Sequence, residues 1–205
     1  MSGPGSGPDV GRLLDEHGTT YAVQAGITLR DKPSPLYQLL VLTTLSSTRI
    51  SADVAATTAR ELFRAGWRTP ERMRSATWQQ RVDALGRGGY RRYDESTATA
   101  LEESAAHLEE RWGGDLRRLR DDAGDVEGVL ARLRDFPRIG PTGAGIFCRE
   151  VQDVWPAVAP YFDDRALAGA GRLGLPSDAE ELARMAPHGQ VAVLAAALVR
   201  ADLAA

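Results

Sequence analysis

Residues 133–151 read LRDFPRIGPTGAGIFCREV. An apolar-periodic helix, Asp125 to Arg134, runs into this stretch and a second, Thr142 to Val154, runs out of it. Between them lies a tight turn in which Gly140 is expected to take a positive φ and Pro141 to preset the next helix. Amides at such a turn and at the following helix start point outward together, and their natural ligand is a phosphate. Arg134, Arg138 and Arg149 lie close in sequence and are expected to add charge there. The same turn also reads as an ordinary connection between two helices, so the rest of the chain has to decide.

Upstream and downstream the pattern is helical almost throughout, with i, i+3, i+4 apolar spacing and no convincing alternating strand. Val10 to Tyr21 reads as a first helix broken at Gly18. Ser34 and Pro35 read as the cap and first turn of a helix over Leu36 to Ser47, apolar nearly all round and therefore central. Further helices are expected at Ala52–Phe63, near Met73, at Trp78–Leu85 and at Ser96–Trp112. Others follow at Asp164–Leu173, at Asp178–Met185 capped by Ser177, and at Val191–Leu203. RLRDDAGDVEG reads as a solvated acidic loop, and GRGGYRRY (86–93) either as a DNA contact or as an exposed connection. The four tryptophans read as core.

The totals exclude several chemistries. Among 205 residues there is one cysteine, Cys148, which rules out an internal disulfide and a four-cysteine iron–sulfur site. His17, His107 and His188 show no metal-ligand spacing and read as solvated or capping; no metal or cofactor is expected. No apolar run reaches the length of a membrane span, and MSGPGSGPD reads as a flexible leader rather than a signal peptide. A cytoplasmic, nucleoid-associated monomer is expected. The formal charge of −3 argues against indiscriminate nucleic-acid binding but leaves room for a local basic face. Of 25 basic residues only Lys32 is a lysine, so an amine nucleophile has one side-chain candidate.

Three segments, in order, resemble the helix-hairpin-helix DNA glycosylase superfamily to which bacterial endonuclease III belongs. The family's L-P-G-[VI]-G-x-K-T-A is matched by Phe136-Pro137-Arg138-Ile139-Gly140-Pro141-Thr142-Gly143-Ala144. Its V-D-T-H-[IV]-x-R…R-L-G-L is matched by YFDDRALAGAGRLGL, with Asp163 in register with the catalytic aspartate. Its F-E-x-L…L-S-x-Q helix is similar to LYQLLVLTTLSSTR, where Arg49, with Thr48 beside it, stands at the glutamine. The departures are specific: Arg138 replaces the first hairpin glycine, Asp164 and Arg165 replace the threonine and histidine, and the C-terminal cluster cysteines have no counterpart.

The resemblance implies an all-α protein of two helical subdomains with a DNA-binding cleft between them. One subdomain, about 31–152, is a six-helix barrel carrying the hairpin at about 126–154; the other joins 1–30 to 153–205. It implies double-stranded DNA with a lesion or mismatch as partner, and contacts from Arg134, Arg138, Ile139, Gly140, Thr142, Gly143, Thr48, Arg49 and Arg91. Breaking an N-glycosidic bond builds positive charge on the sugar, which a fixed carboxylate stabilises. Asp163 is assigned that role, with Asp164 as second candidate; Asp163 also reads as a plain N-cap. Bifunctional relatives carry a lysine where this chain has Thr142, so base excision without strand cleavage is implied. Two alternatives stay open: an abasic-site lyase using an atypical amine, and a hairpin module that binds DNA without cutting a bond.

Overall fold

The computed structural model describes residues 9–204, and the expected leader lies almost wholly outside them. Thirteen helices and no strand occur among the described residues. They are α1 (Val10–His17), α2 (Tyr21–Gln24), α3 (Pro33–Ser46), α4 (Ala52–Arg64), α5 (Pro70–Ser75), α6 (Trp78–Arg87) and α7 (Asp94–Trp112). The rest are α8 (Leu116–Ala123), α9 (Val126–Leu133), α10 (Pro141–Val151), α11 (Asp164–Arg172), α12 (Ala179–Met185) and α13 (Val191–Ala204). The chain forms two compact units: one spans Tyr21–Cys148, and the other joins the chain ends, up to Thr20 and from Arg149 onward. The first boundary falls earlier than residue 31 because α2 packs on α4, where the Gln24 carbonyl accepts from Arg60 at 3.0 Å. The second falls inside α10.

In the unit 21–148, α3 is the central rod. Its five leucines, Leu36, Leu39, Leu40, Leu42 and Leu45, are each no more than 1% exposed. Each contributes about 1.5–3 kcal/mol of burial, an upper figure for a chain with no residual unfolded structure. Around it pack α4, α7 and α8. The helix starts at Pro33, not at Pro35, and Lys32 holds the cap position without a side-chain bond. Pro33 is as well preset for a first turn as Pro35, and the Ser34 hydroxyl instead donates to the Arg68 carbonyl at 2.9 Å. The acidic stretch expected as loop is partly helical: α8 is capped by Asp115, whose carboxylate accepts from the Arg117 amide.

A buried guanidinium staples α5, α6 and α7 together. Arg81, 1% exposed, donates to the carbonyls of Ala76 at 2.7 Å, Ala98 at 2.9 Å and Met73 at 3.1 Å, and pairs with Glu102. The carbonyls of Met73 and Ala76 lie at the end of α5, where a helix leaves acceptors unsatisfied, and the planar fork of arginine meets both. Trp112 and Trp155 are buried as expected, whereas Trp78 is 41% exposed. His107 is not a solvated or capping residue: its ring packs edge-on to Phe136 at 4.8 Å and Trp112 at 5.5 Å. Burial pushes the Cys148 thiol up to about 12, which suits a core residue and not a nucleophile.

In the other unit α13 is apolar from Val191 to Val199 and packs on α1 and α11. Gly169 makes the second contact possible, since a Cβ there would lie 2.5 Å from the Leu198 carbonyl oxygen. The start of α13 is capped from a distance by Asp153, which accepts from the Ala192 amide at 3.2 Å. The last expected cap is shifted by one residue: Asp178, not Ser177, accepts from Glu181 and starts α12. Among the described residues no helix is long and apolar enough to cross a membrane.

Replacing Arg81 with Met tests the staple. It removes the guanidinium from three carbonyls, of which that of Met73 keeps the Ala76 amide, and leaves Glu102 without its partner, so unfolding free energy should fall by about 3 kcal/mol in urea titration. A loss below about 1 kcal/mol would show that the packing of α5–α7 does not depend on it.

Candidate functional site

The hairpin between α9 and α10 starts from an anchor. Phe136, 2% exposed, is buried against His107 and stacks on Trp112 with centroids 5.8 Å apart. Pro137 follows with its φ preset, and the Ile139 amide closes a turn on the Phe136 carbonyl at 3.1 Å. A proline at the second position admits a positive φ only at the third, which is the type II pattern. That third residue is Arg138, with φ 65°, the one non-glycine left-handed residue among those described. The expectation for Gly140 is thereby corrected: the positive φ belongs to Arg138, because Pro137 fixes where the reversal occurs. Gly140 instead precedes α10, and its carbonyl accepts from the Ala144 amide at 2.9 Å.

Left-handed backbone costs a residue with a Cβ roughly 1–2 kcal/mol. Two contacts of the Arg138 side chain offset it. Nη1 donates to the Ser96 hydroxyl at 2.7 Å, and the guanidinium lies 5.9 Å from the centre of the Tyr93 ring. The arginine that replaces the hairpin glycine therefore ties the turn to the start of α7.

Three stretches selected from the sequence meet in this unit. Gly143, in the first turn of α10, is buried where a Cβ would approach Ser47 Oγ to 2.3 Å, so α10 lies directly on the end of α3. The Thr48 hydroxyl bonds to the Tyr90 hydroxyl, which also donates to the Leu45 carbonyl at 3.0 Å. Tyr90 is thus buried and braces the 47–50 turn; it is no exposed stacking platform. Arg49 at that turn, Arg91 beside Tyr90, and Arg134 before the hairpin are all exposed. Gly140, Pro141 and Thr142 are exposed as well, at a helix start where the amides of Thr142 and Gly143 have no intrahelical acceptor. Ile139 is placed otherwise: its side chain is 3% exposed, leaving its backbone as the part a ligand could reach.

Asp163 lies in the other unit, at the cap of α11. Its Oδ1 accepts from the Ala166 amide at 2.9 Å, and its Oδ2 accepts from Arg149 Nη1 at 2.6 Å. The carboxylate is 14% exposed and the Arg149 side chain 3%. Arg149 therefore does not add charge to the hairpin turn, as its place in the sequence suggested. One helical turn on, Gln152 bonds both sides of the chain before Asp163: Nε2 donates to the Tyr161 carbonyl and Oε1 accepts from the Tyr161 amide, both at 2.8 Å. Asp164 begins α11 and is exposed, which separates the two candidate carboxylates. Gln152, Tyr90 and the role of Arg149 escaped the sequence reading. The available signal was a pair of long polar side chains, Arg149 and Gln152, in the apolar segment IFCREVQ. Among the described residues no group of three His, Cys, Asp or Glu side chains converges to hold a metal.

No family model and no curated protein matches the chain. Solved structures do. A non-covalent endonuclease III–DNA complex matches over 93% of this chain and 79% of its own, with TM-score 0.57 and 16% identity. The fold is that of endonuclease III. A trapped endonuclease III–DNA covalent intermediate, an estranged-adenine complex, matches over 93% of this chain and 83% of its own, with TM-score 0.51 and 18% identity. At that identity the endonuclease III likeness is one of backbone, and the chemistry has to come from the residues described above.

The strained turn gives a direct comparison of two variants. Arg138→Gly and Arg138→Ala lose the same side-chain contacts, but only glycine takes φ 65° freely. The glycine variant should be the more stable by about 1 kcal/mol in urea titration. An alanine variant of equal or greater stability would contradict the left-handed assignment.

Proposed function

We propose that the chain is a monofunctional DNA glycosylase that releases a damaged or mispaired base from duplex DNA. One observation carries the reading: the endonuclease III fold spans 93% of the chain, and the matching structures are complexes with DNA. The exposed start of α10 at Gly140–Thr142 supports it, since outward amides there suit a DNA phosphate. Arg49, at the exposed turn after α3, suits insertion where a base is extruded, because guanidinium planes stack on bases.

In this reading Asp163 supplies the fixed negative charge. As the glycosidic bond breaks, positive charge grows on the sugar, and an ionised, preoriented carboxylate stabilises it without reorganising. The base leaves with the bonding electrons, water adds to the sugar carbon, and the proton that water loses balances the charge of the departing base. Thr142 stands where an amine would be needed for a Schiff base, so the abasic product stays intact. Lys32, exposed before α3, is the remaining side-chain amine for any slow lyase step.

A second reading is DNA binding without bond cleavage, for which the exposed start of α10 at Gly140–Thr142 would suffice by itself. One assay separates the readings. Duplexes carrying uracil, a thymine–guanine mismatch, oxidised purine, oxidised pyrimidine or alkylated bases are incubated with the chain and examined with and without alkali. Nicks that require alkali are expected, and Asp163→Asn should lower single-turnover base release at least about 100-fold with DNA affinity retained. Alkali-independent nicks, with borohydride trapping that survives Lys32→Ala, would overturn the monofunctional assignment. Full excision by Asp163→Asn would overturn the role of the carboxylate.

A further inference from the structure

We infer that Arg149 is a positioning residue for Asp163, acting with Gln152 as a clamp at the C-terminal end of α10; this rests on the glycosylase reading proposed above. A cap requires one oxygen to accept one or two amides, and Asp163 Oδ1 does this for Ala166. Nothing in capping requires a second, buried cation. Yet Arg149 reaches Oδ2 at 2.6 Å from a side chain only 3% exposed, and burying a guanidinium is costly unless its geometry is well matched.

The carboxylate is thus held by two donors from different elements, one backbone and one side chain. With both oxygens held, rotation of the carboxyl about its Cβ–Cγ bond is closed. The backbone leading into it is held as well: Gln152 brackets Tyr161 through its amide and carbonyl, and Gln152 Nε2 also donates to the Arg149 carbonyl at 3.0 Å. Arg149 lies in the last turn of α10 and Gln152 one residue beyond its end. One orients the charged group and the other orients the chain that presents it. A group that stabilises charge only in the transition state gains most from such fixed orientation.

Lysine keeps the charge of Arg149 but not the planar fork, so Arg149→Lys is the informative variant. Three quantities are compared with the wild-type chain: thermal midpoint, affinity for a duplex carrying a tetrahydrofuran abasic analogue, and affinity for one carrying a cationic pyrrolidine analogue. The neutral analogue reads DNA binding, and the cationic one reads the oriented carboxylate without any turnover. Arg149→Lys should keep the neutral affinity within about twofold while losing at least about tenfold of the cationic preference. Its single-turnover base release should fall in parallel. Arg149→Ala should recover rate and cationic preference in millimolar guanidinium but not in matched sodium chloride. A thermal loss with the cationic preference intact would overturn the proposal and leave Arg149 a structural partner. A wild-type chain that releases no base and shows no cationic preference would instead overturn the glycosylase reading, and the role of Arg149 with it.

Discussion

The constraint that organises the hairpin is the fixed φ of Pro137. With Phe136 buried and Pro137 fixed at negative φ in the second turn position, the positive φ of this turn falls on the next residue. Arg138 takes it at a cost, and its contacts with Ser96 and Tyr93 both offset that cost and lock the turn to α7. From there Gly143 lets α10 lie on the end of α3, and Tyr90 braces the turn that follows α3. Exposed Arg49 and the exposed start of α10 are thus held on a connected framework, although they lie more than 90 residues apart in sequence.

The second unit solves a different problem, the placement of a charged group on a loop. Asp163 is preceded by residues without helical hydrogen bonds, and such a segment has little to hold it by itself. Side chains at and just past the end of α10 do the holding: Gln152 satisfies the Tyr161 backbone and Arg149 fixes the carboxylate. Asp163 is thereby held by more than a helix cap requires.

The helical class and the central place of α3 were legible because apolar periodicity and an all-round apolar helix report burial directly. Asp163 as a cap was legible too. Local chemistry was less so. Gly140 was given the positive φ because glycine is the usual bearer of it; the location depended on which proline opened the turn. Arg149 looked like surface charge because proximity in sequence says nothing about which face of a helix carries a residue inward. Tyr90 could not be separated from its exposed arginine neighbours, since its partners Leu45 and Thr48 lie over 40 residues away.

The central claim is that the exposed first turn of α10 receives a DNA phosphate. Thr142→Glu puts a carboxylate there, where the helix dipole favours it by about 0.3–1 kcal/mol for folding while it repels an incoming anion. The measurement is the affinity for a tetrahydrofuran-containing duplex by fluorescence anisotropy at low salt, alongside the thermal midpoint. The account predicts a midpoint equal to or above that of the wild-type chain and an affinity at least about tenfold weaker. Wild-type affinity in a stably folded Thr142→Glu chain would contradict it.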